Sequence, residues 1–415
     1  MKMIFRGHDD RYAVEQSLLA FFPQERPVYD PDACEKNQAE VSLFTGKTYT
    51  TATSKILYDG KIARGISRAV IDPALDEYAA ERLRQKALKL SFFKAARTIT
   101  GITPSWGALT GIRPGKLAAR FLEEGKSEKQ TDRILKDTYY VSPERRRLAI
   151  ETAKAGLKAR QDLRLEDISL YVGIPFCPTR CAYCSFVSAS VEKSFKLIEP
   201  YLTVLEQEIT DAAQMVKETG LRIKSFYMGG GTPTTLTAAQ MDRLLSHLNR
   251  SFDLSGCVEY SIEAGRPDTI DREKLQVLLD HGADRISVNP QSLDDRVLQA
   301  IGRRHTARDV VTTMELVESM HFPHVNMDLI AGLPEDTPDG FKRTLDACIA
   351  MGADNITVHT LALKKAAASC WRSARFPGRM RWQKCWTTPT PHCAELDLCP
   401  TISTVRNTCP AVSKM

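Results

Sequence analysis

No stretch of this sequence approaches the ~20 consecutive apolar residues that a membrane-spanning helix requires, which argues against an integral membrane protein. The first residues, MKMIFRGHDDRYAVEQ, carry charges that break every apolar run. They lack the h-region of a secretory signal, so a cytoplasmic location is expected. An excess of one charge is also lacking. Lys and Arg number 57 against 51 Asp and Glu, a net charge of +6, and both signs interleave in nearly every helical segment. So thin an excess predicts neither nucleic acid nor a membrane surface as partner. Nor is there a disulfide framework. The eleven cysteines are odd in number and irregular in spacing, so any clustered subset points to metal or catalysis.

What is present suffices for a large folded protein. A chain of 415 residues, 43% hydrophobic and 26% charged, has a globular composition and length for two or three domains. Residues 1 to about 95 mix the strand-like runs VSLFTG and RAVID with the helical pattern DEYAAERLRQKALKLSFFKAART. The segment TGITPSWGALTGIRPG is rich in Gly, Pro and Thr, and a charged helix follows from Lys116 to about Glu124. Together these predict an N-terminal α+β domain with a helical connector over residues 1–165.

Beyond Glu166 the pattern changes. Six apolar runs, ISLYVGIP, KSFYMGG, CVEYSIEAG, DRISVNPQ, HVNMDLIAGLP and NITVHTLAL, alternate with helical patterns over Ser194 to Glu218, Thr237 to Asn249, Pro267 to His281, Ala307 to Met320 and Thr337 to Ala350. Strand then helix, repeated about six times, is the signature of parallel βα units. The fold class expected is α/β, an incomplete (β/α)6 barrel over residues 166–364.

The chemistry begins in YVGIPFCPTRCAYCSF, where Cys177, Cys181 and Cys184 stand at C-x3-C-x2-C directly after the first barrel strand. Thiolates are soft ligands suited to iron–sulfur clusters. Three of them on a cubane would leave one iron open to a non-protein ligand. A zinc loop or a group of structural thiols is the alternative, although zinc usually takes four ligands in two pairs and no second CxxC follows. Next, Gly229, Gly230 and Gly231 with Thr232 and Pro233 follow the second run, where glycines permit close backbone approach to a ligand or simply turn the chain. Glu263 stands near the end of the third run, Gln291 closes the fourth and Asp328 sits inside the fifth. In a (β/α) barrel the active site is built at those carboxyl ends, so these residues are expected to converge on one pocket. The histidines, His281, His305, His321, His324 and His359, are scattered and read as structural or surface groups.

These residues together resemble the radical S-adenosylmethionine (SAM) superfamily, and within it the oxygen-independent coproporphyrinogen III oxidase group, especially its HemZ-type branch. YVGIPFCPTRCAYC, YMGGGTPTTL, YSIEAGRPDT, VNPQSLDDRVLQAIGRRH and NMDLIAGLPEDT carry the resemblance over about residues 168–364, and WGALTGIRPGKL extends it toward the N-terminus. The resemblance implies that Cys177, Cys181 and Cys184 ligate a [4Fe-4S] cluster whose open iron is chelated by SAM. It places Tyr171 by the sulfonium, Tyr183 near the adenine, and Gly230, Gly231 and Thr232 at the methionine amino group. Glu263, Gln291, Arg303 and Asp328 match further SAM contacts, and Ala362 a backbone contact to the adenine.

The implied reaction is radical-driven oxidative decarboxylation of coproporphyrinogen III to protoporphyrinogen IX in heme biosynthesis, with an electron donor such as flavodoxin or ferredoxin. One departure bears on the substrate. Characterised dehydrogenases of the group resemble C-x3-C-x2-C-x-C, whereas Phe186 stands at the last position here. Heme chaperones of the superfamily also lack that cysteine and are the alternative function. A radical SAM enzyme acting on RNA is a third reading, disfavoured by the diffuse charge.

Residues 365–415 hold five of the eleven Cys and three of the four Trp without helical or strand period. They read as translated out of frame: LCPTISTVRNTCPAVSKM is compatible, in a shifted frame, with VPYYLYRQKYMSGGLEN. On that reading the chain lacks the region that helps to close the family's substrate pocket.

Overall fold

The computed structural model describes residues 1–361 apart from 47, 111, 112 and 187. The out-of-frame reading of the tail and the Ala362 contact therefore lie outside the described residues. The chain divides into two compact units, Met1–Gln161 and Asp162–Met415.

The first unit is built on a four-stranded sheet ordered β1 (Lys2–Arg6), β2 (Gln38–Thr45), β3 (Tyr49–Tyr58) and β4 (Lys61–Val70). β1 pairs parallel with β2 and the remaining pairs are antiparallel. Helix α1 (Arg11–Phe21) connects β1 to β2, and α2 (Glu77–Thr100) packs against the sheet. Asp76 starts α2 by accepting from the Ala79 N–H, and Gly101, at φ 68°, ends it. Helices α3 (Pro114–Glu123), α4 (Glu128–Asp137) and α5 (Pro143–Arg160) gather their own small core around Phe121, Leu135 and Ile150. Sequence patterning missed β1 and β3. The β3–β4 turn is Asp59-Gly60, both at positive φ, a hairpin signal that lay in plain view between YTTATSKILY and KIARGISRAV.

On β4, Gly65 admits α2 at close range: a Cβ there would overlap the Ser91 carbonyl oxygen and lie 2.7 Å from the Ala95 nitrogen. Gly65→Ala is therefore expected to destabilise this unit by about 2–3 kcal/mol, read from chemical denaturation followed by circular dichroism. No loss would show that α2 shifts without cost.

The second unit is a six-stranded, all-parallel sheet with helices between the strands. Its strands, in spatial order, are β12 (Asn355–Thr360), β11 (His324–Ala331), β10 (Arg285–Gln291), β9 (Tyr260–Gly265), β8 (Arg222–Gly230) and β5 (Asp167–Ile174). A two-stranded ribbon of β6 (Phe176–Cys177) and β7 (Ala189–Ser190) and the short α6 (Val191–Ser194) follow β5. The crossover helices are α7 (Ile198–Thr219), α8 (Ala238–Ser251), α9 (Arg272–Asp280), the pair α10 (Asp295–Ala300) and α11 (Ala307–Ser319), and α12 (Pro338–Ala350). This is the incomplete (β/α)6 barrel that the alternating pattern predicts. Local chemistry sets the starts of the helices: capping boxes at Thr237 and Thr306, and side-chain caps at Asp271, Asp294 and Thr337. Among the described residues, no helix is long and apolar enough to cross a membrane.

Two expected helix starts move and one crossover helix is additional: the helix expected from Ser194 begins at Ile198, after the 3-10 turn Phe195–Leu197. The helix expected from Pro267 begins at Arg272, because Pro267–Thr269 forms a single 3-10 turn and Asp271 is the cap. α10 was not read from the sequence. Its six residues are too few to display a helical period.

Asp336, before α12, is 4% exposed; its Oδ1 accepts from the Thr337 N–H at 2.7 Å, and Oδ2 has no hydrogen-bond partner. Burial pushes its carboxyl up to about 6 from the ordinary 3.8. A raised folded-state value means stability that is complete below the unfolded value and lost as pH rises through about 6. Asp336→Asn, which keeps an acceptor for Thr337, is expected to add about 1–2 kcal/mol at pH 8 and nothing near pH 4. Thermal midpoints across that range check it, and a pH-independent difference would refute it.

Candidate active site at the carboxyl ends of the barrel strands

The cysteine loop leaves β5 through Pro175 and reaches Cys177 at the end of β6. Cys177 Sγ accepts from Thr232 Oγ1 at 3.5 Å. Burial pushes the Cys177 thiol up, hydrogen bonds from Thr232 and Ser188 oppose this, and the charges of Cys181 and Cys184 raise it further. All three cysteines lie on the one stretch of chain between β5 and β7. The loop is held from the far side as well, since the Ala182 N–H donates to the Ile301 carbonyl at 3.1 Å and Cys184 N–H closes a turn onto Cys181 O at 3.1 Å. Beneath it Tyr183 and Ala182 pack on a small apolar cluster of Val297, Leu298, Ile301, Ile330 and Leu333.

The glycine run at the end of β8 is packed directly against this loop. Gly231 N–H donates to Ile174 O at 2.8 Å, and Thr232 N–H to Phe176 O at 2.7 Å. A Cβ on Gly231 would lie 2.5 Å from Phe176 O and 3.0 Å from Cys177 Sγ, and Gly230 takes φ 106°. Gly230 and Gly231 are needed here because backbone meets backbone, whereas a Cβ on Gly229 would press on the Tyr227 ring and the Glu263 carboxylate. On the neighbouring strands, Tyr171 of β5 stacks on Tyr227 of β8 at 6.1 Å between ring centroids, and the Tyr227 hydroxyl donates to Glu263 of β9. Tyr227 was not singled out from the sequence. Its place two residues before the glycines put it on the same face.

Gln291 ends β10 at φ 67°, a left-handed conformation that is strained for a side chain of this size, and its buried Oε1 has no hydrogen-bond partner. Arg303, in the turn after α10, donates from Nη1 to Asn289 O at 2.9 Å and from Nη2 to the Tyr183 hydroxyl at 3.0 Å. Burial raises the Tyr183 phenol above its ordinary value. Asp328, on β11, accepts from Asn326 Nδ2 at 2.8 Å and faces His359 Nε2 of β12 at 3.7 Å.

A [4Fe-4S] cluster and SAM fit these residues. The donor set is three thiols on one loop, each free of a disulfide. Among the described residues, no three His, Cys, Asp or Glu side chains are placed to share a single metal ion. A cubane asks for something else, since each thiolate reaches its own iron. Beside the thiols, the Gly231 cradle has no room for a side chain. Gln291 Oε1, Asn289 Oδ1 and Arg303 Nε are buried polar atoms without partners, which a polar ligand would satisfy.

Residues 171–348 match the Radical SAM superfamily. This chain carries a radical SAM domain. It is 39% identical over 298 residues, 71% of its length, to the oxygen-independent coproporphyrinogen-III oxidase-like protein HemZ of Bacillus subtilis, covering 60% of that protein. The second unit holds only residues 162–415, so a match of 298 residues reaches into the first unit. The heme chaperone HemW of the same organism is 33% identical over 200 residues, 47% of this chain and 51% of that protein. Among solved structures, the radical SAM enzyme coproporphyrinogen III oxidase (HemN) of Escherichia coli matches with a TM-score of 0.50 at 28% identity, over 59% of this chain and 56% of that one. The chain thus spans about half to three fifths of the relatives it matches. Radical SAM proteins use a [4Fe-4S] cluster and SAM, which accounts for a three-thiol loop beside a glycine cradle.

Proposed function

We propose that this chain is an oxygen-independent coproporphyrinogen dehydrogenase, a cytoplasmic radical SAM oxidoreductase of heme biosynthesis. Its substrate is a porphyrinogen, and a flavodoxin- or ferredoxin-type protein supplies the electron. The observation that carries this reading is the 39% identity over 298 residues to the coproporphyrinogen-III oxidase-like protein, which extends beyond the barrel.

Cys177, Cys181 and Cys184 hold the cluster, and Tyr171, Tyr183, Gly230, Gly231, Thr232, Glu263, Gln291, Arg303 and Asp328 hold SAM. When bound, the pair supplies one-electron reductive cleavage and a radical that takes hydrogen from a substrate propionate, which then loses CO2 and an electron to leave a vinyl group. The protein's part is placement. The three thiols would hold the cluster, the Gly231 cradle would leave room beside Cys177 for its ligand, and Glu263, held by Tyr227, would offer a fixed acceptor for a cationic amino group. Gln291 Oε1 and Arg303 Nε exchange an unpaired buried state for a ligand contact.

A second reading is a heme chaperone. Phe186 favours it, because it removes the fourth cysteine of the dehydrogenase pattern. Anaerobic reconstitution with iron and sulfide, then an assay for 5'-deoxyadenosine with and without coproporphyrinogen III, separates the two. Substrate-dependent 5'-deoxyadenosine with vinyl product establishes the dehydrogenase. A cluster without product, together with stoichiometric heme binding, establishes the chaperone.

A further inference from the structure

Between Cys177 and Cys181 the loop presents Thr179, and a buried arginine from the turn after another strand grips it. Arg266 follows β9 and is 3% exposed. Its Nη1 donates to Thr179 Oγ1 at 2.6 Å and to Thr179 O at 3.4 Å. The opposite edge of the guanidinium forms a fork on Asp268, Nε to Oδ1 at 2.8 Å and Nη2 to Oδ2 at 2.6 Å. Behind Asp268 lies His305, with a fully buried side chain and Nδ1 at 3.8 Å from Oδ1, beyond a hydrogen bond. Burial lowers His305, which favours the neutral imidazole, so the cation facing Asp268 is Arg266. Thr179 Oγ1 in turn donates to Gly302 O at 3.4 Å, joining the clamp to the turn that also carries Arg303 and its bond to Tyr183.

A buried guanidinium is costly unless it is fully paired, and a bidentate carboxylate fixes its plane as well as its charge. Its remaining amino group then points in one direction only, at the loop. Backbone preorganisation of this kind matters most where three flexible thiol-bearing residues must meet one inorganic group.

We propose that Arg266, oriented by Asp268 and backed by His305, is a positioning residue that holds the cysteine loop in its ligand geometry before any cluster binds. The inference rests on the cluster reading above for its purpose but not for its test. Arg180, exposed between the cysteines, makes the apo loop a tryptic site whose rate of cleavage reports loop order.

The experiment uses the full chain, freed of iron, in wild-type form and as Arg266→Ala, Arg266→Lys, Asp268→Asn and Thr179→Val. Cleavage after Arg180 is timed against the other tryptic sites of the same digest, and iron uptake is measured on parallel samples. Arg266→Ala and Asp268→Asn should speed cleavage after Arg180 about tenfold relative to the other sites and lower iron uptake at limiting iron. Arg266→Lys, which keeps charge but not the fork, should fall between them and wild type. A general loss of stability would speed all sites together and overturn the proposal, as would rates within about twofold of wild type throughout. If Arg266→Ala does not fold, Thr179→Val decides, since it removes the 2.6 Å side-chain bond to the loop, leaves only the 3.4 Å bond to Thr179 O, and keeps the buried ion pair intact. Should wild type take up no cluster, the cluster reading falls, and the cleavage ratios alone still decide the clamp.

Discussion

Cys181→Ala is expected to abolish the reconstituted cluster's charge-transfer absorbance and to reduce SAM cleavage about a thousandfold or more, a loss of roughly 4 kcal/mol in transition-state terms. The reason is stoichiometric. Two thiolates leave two irons without protein ligands, and a cubane so exposed is lost to solvent and chelators. The fold should survive, because Cys181 is only half-buried and the hydrophobic core under the sheet, with Leu244, Leu245, Met228 and Ile286 fully enclosed, lies elsewhere. Thermal unfolding of the variant's apo form should therefore match the wild-type apo form within about 1 kcal/mol. Retained absorbance with an intact three-thiolate spectrum would mean that another cysteine substitutes, and the ligand assignment would be wrong.

Gly231→Ala should be nearly as damaging, by a steric route. The added methyl would sit 2.5 Å from Phe176 O, 2.8 Å from Ile174 O and 3.0 Å from Cys177 Sγ. Two of these are backbone atoms at the end of β5 and in β6, which cannot rotate away, so either the glycine run or the cysteine loop must move. A displacement near 1 Å at a ligand-binding turn costs about a hundredfold in the reaction it serves. Overpacking adds about 2–3 kcal/mol of destabilisation. Gly256→Ala is the matched control, since a Cβ there meets nothing within 4 Å. Equal behaviour of the two variants in SAM-binding calorimetry would refute the cradle.

Much of the architecture was legible because it is written in local periodicity. Five of the six barrel strands bury apolar side chains, β9 over its full length, and β12 packs the half-buried Ile356 and Val358 on the same core, so all six appear as apolar runs between amphipathic helices. The three cysteines and three glycines were legible for a different reason, as their spacing is itself the chemistry. Legibility fails where partners lie far apart in the chain. Arg266 reaches Thr179 across 87 residues, Arg303 reaches Tyr183 across 120, and Tyr227 meets Glu263 across 36. No short window of sequence contains both ends of any of these three pairs. β3 escaped notice because Thr and Ser on a half-exposed sheet blur the apolar alternation.

What the sequence determined by itself was composition, the βα repeat and the ligand types, since these depend on neighbours a few residues apart. Tertiary structure alone decided that Gln291 adopts a left-handed conformation with its amide oxygen buried and unpaired, that Gly231 faces Cys177, and that a paired arginine grips the loop between the ligands. The physical reason is that burial, hydrogen bonding and steric exclusion act between atoms in space, and the parallel sheet brings the ends of β5, β8, β9 and β10 together from positions up to about a hundred residues apart.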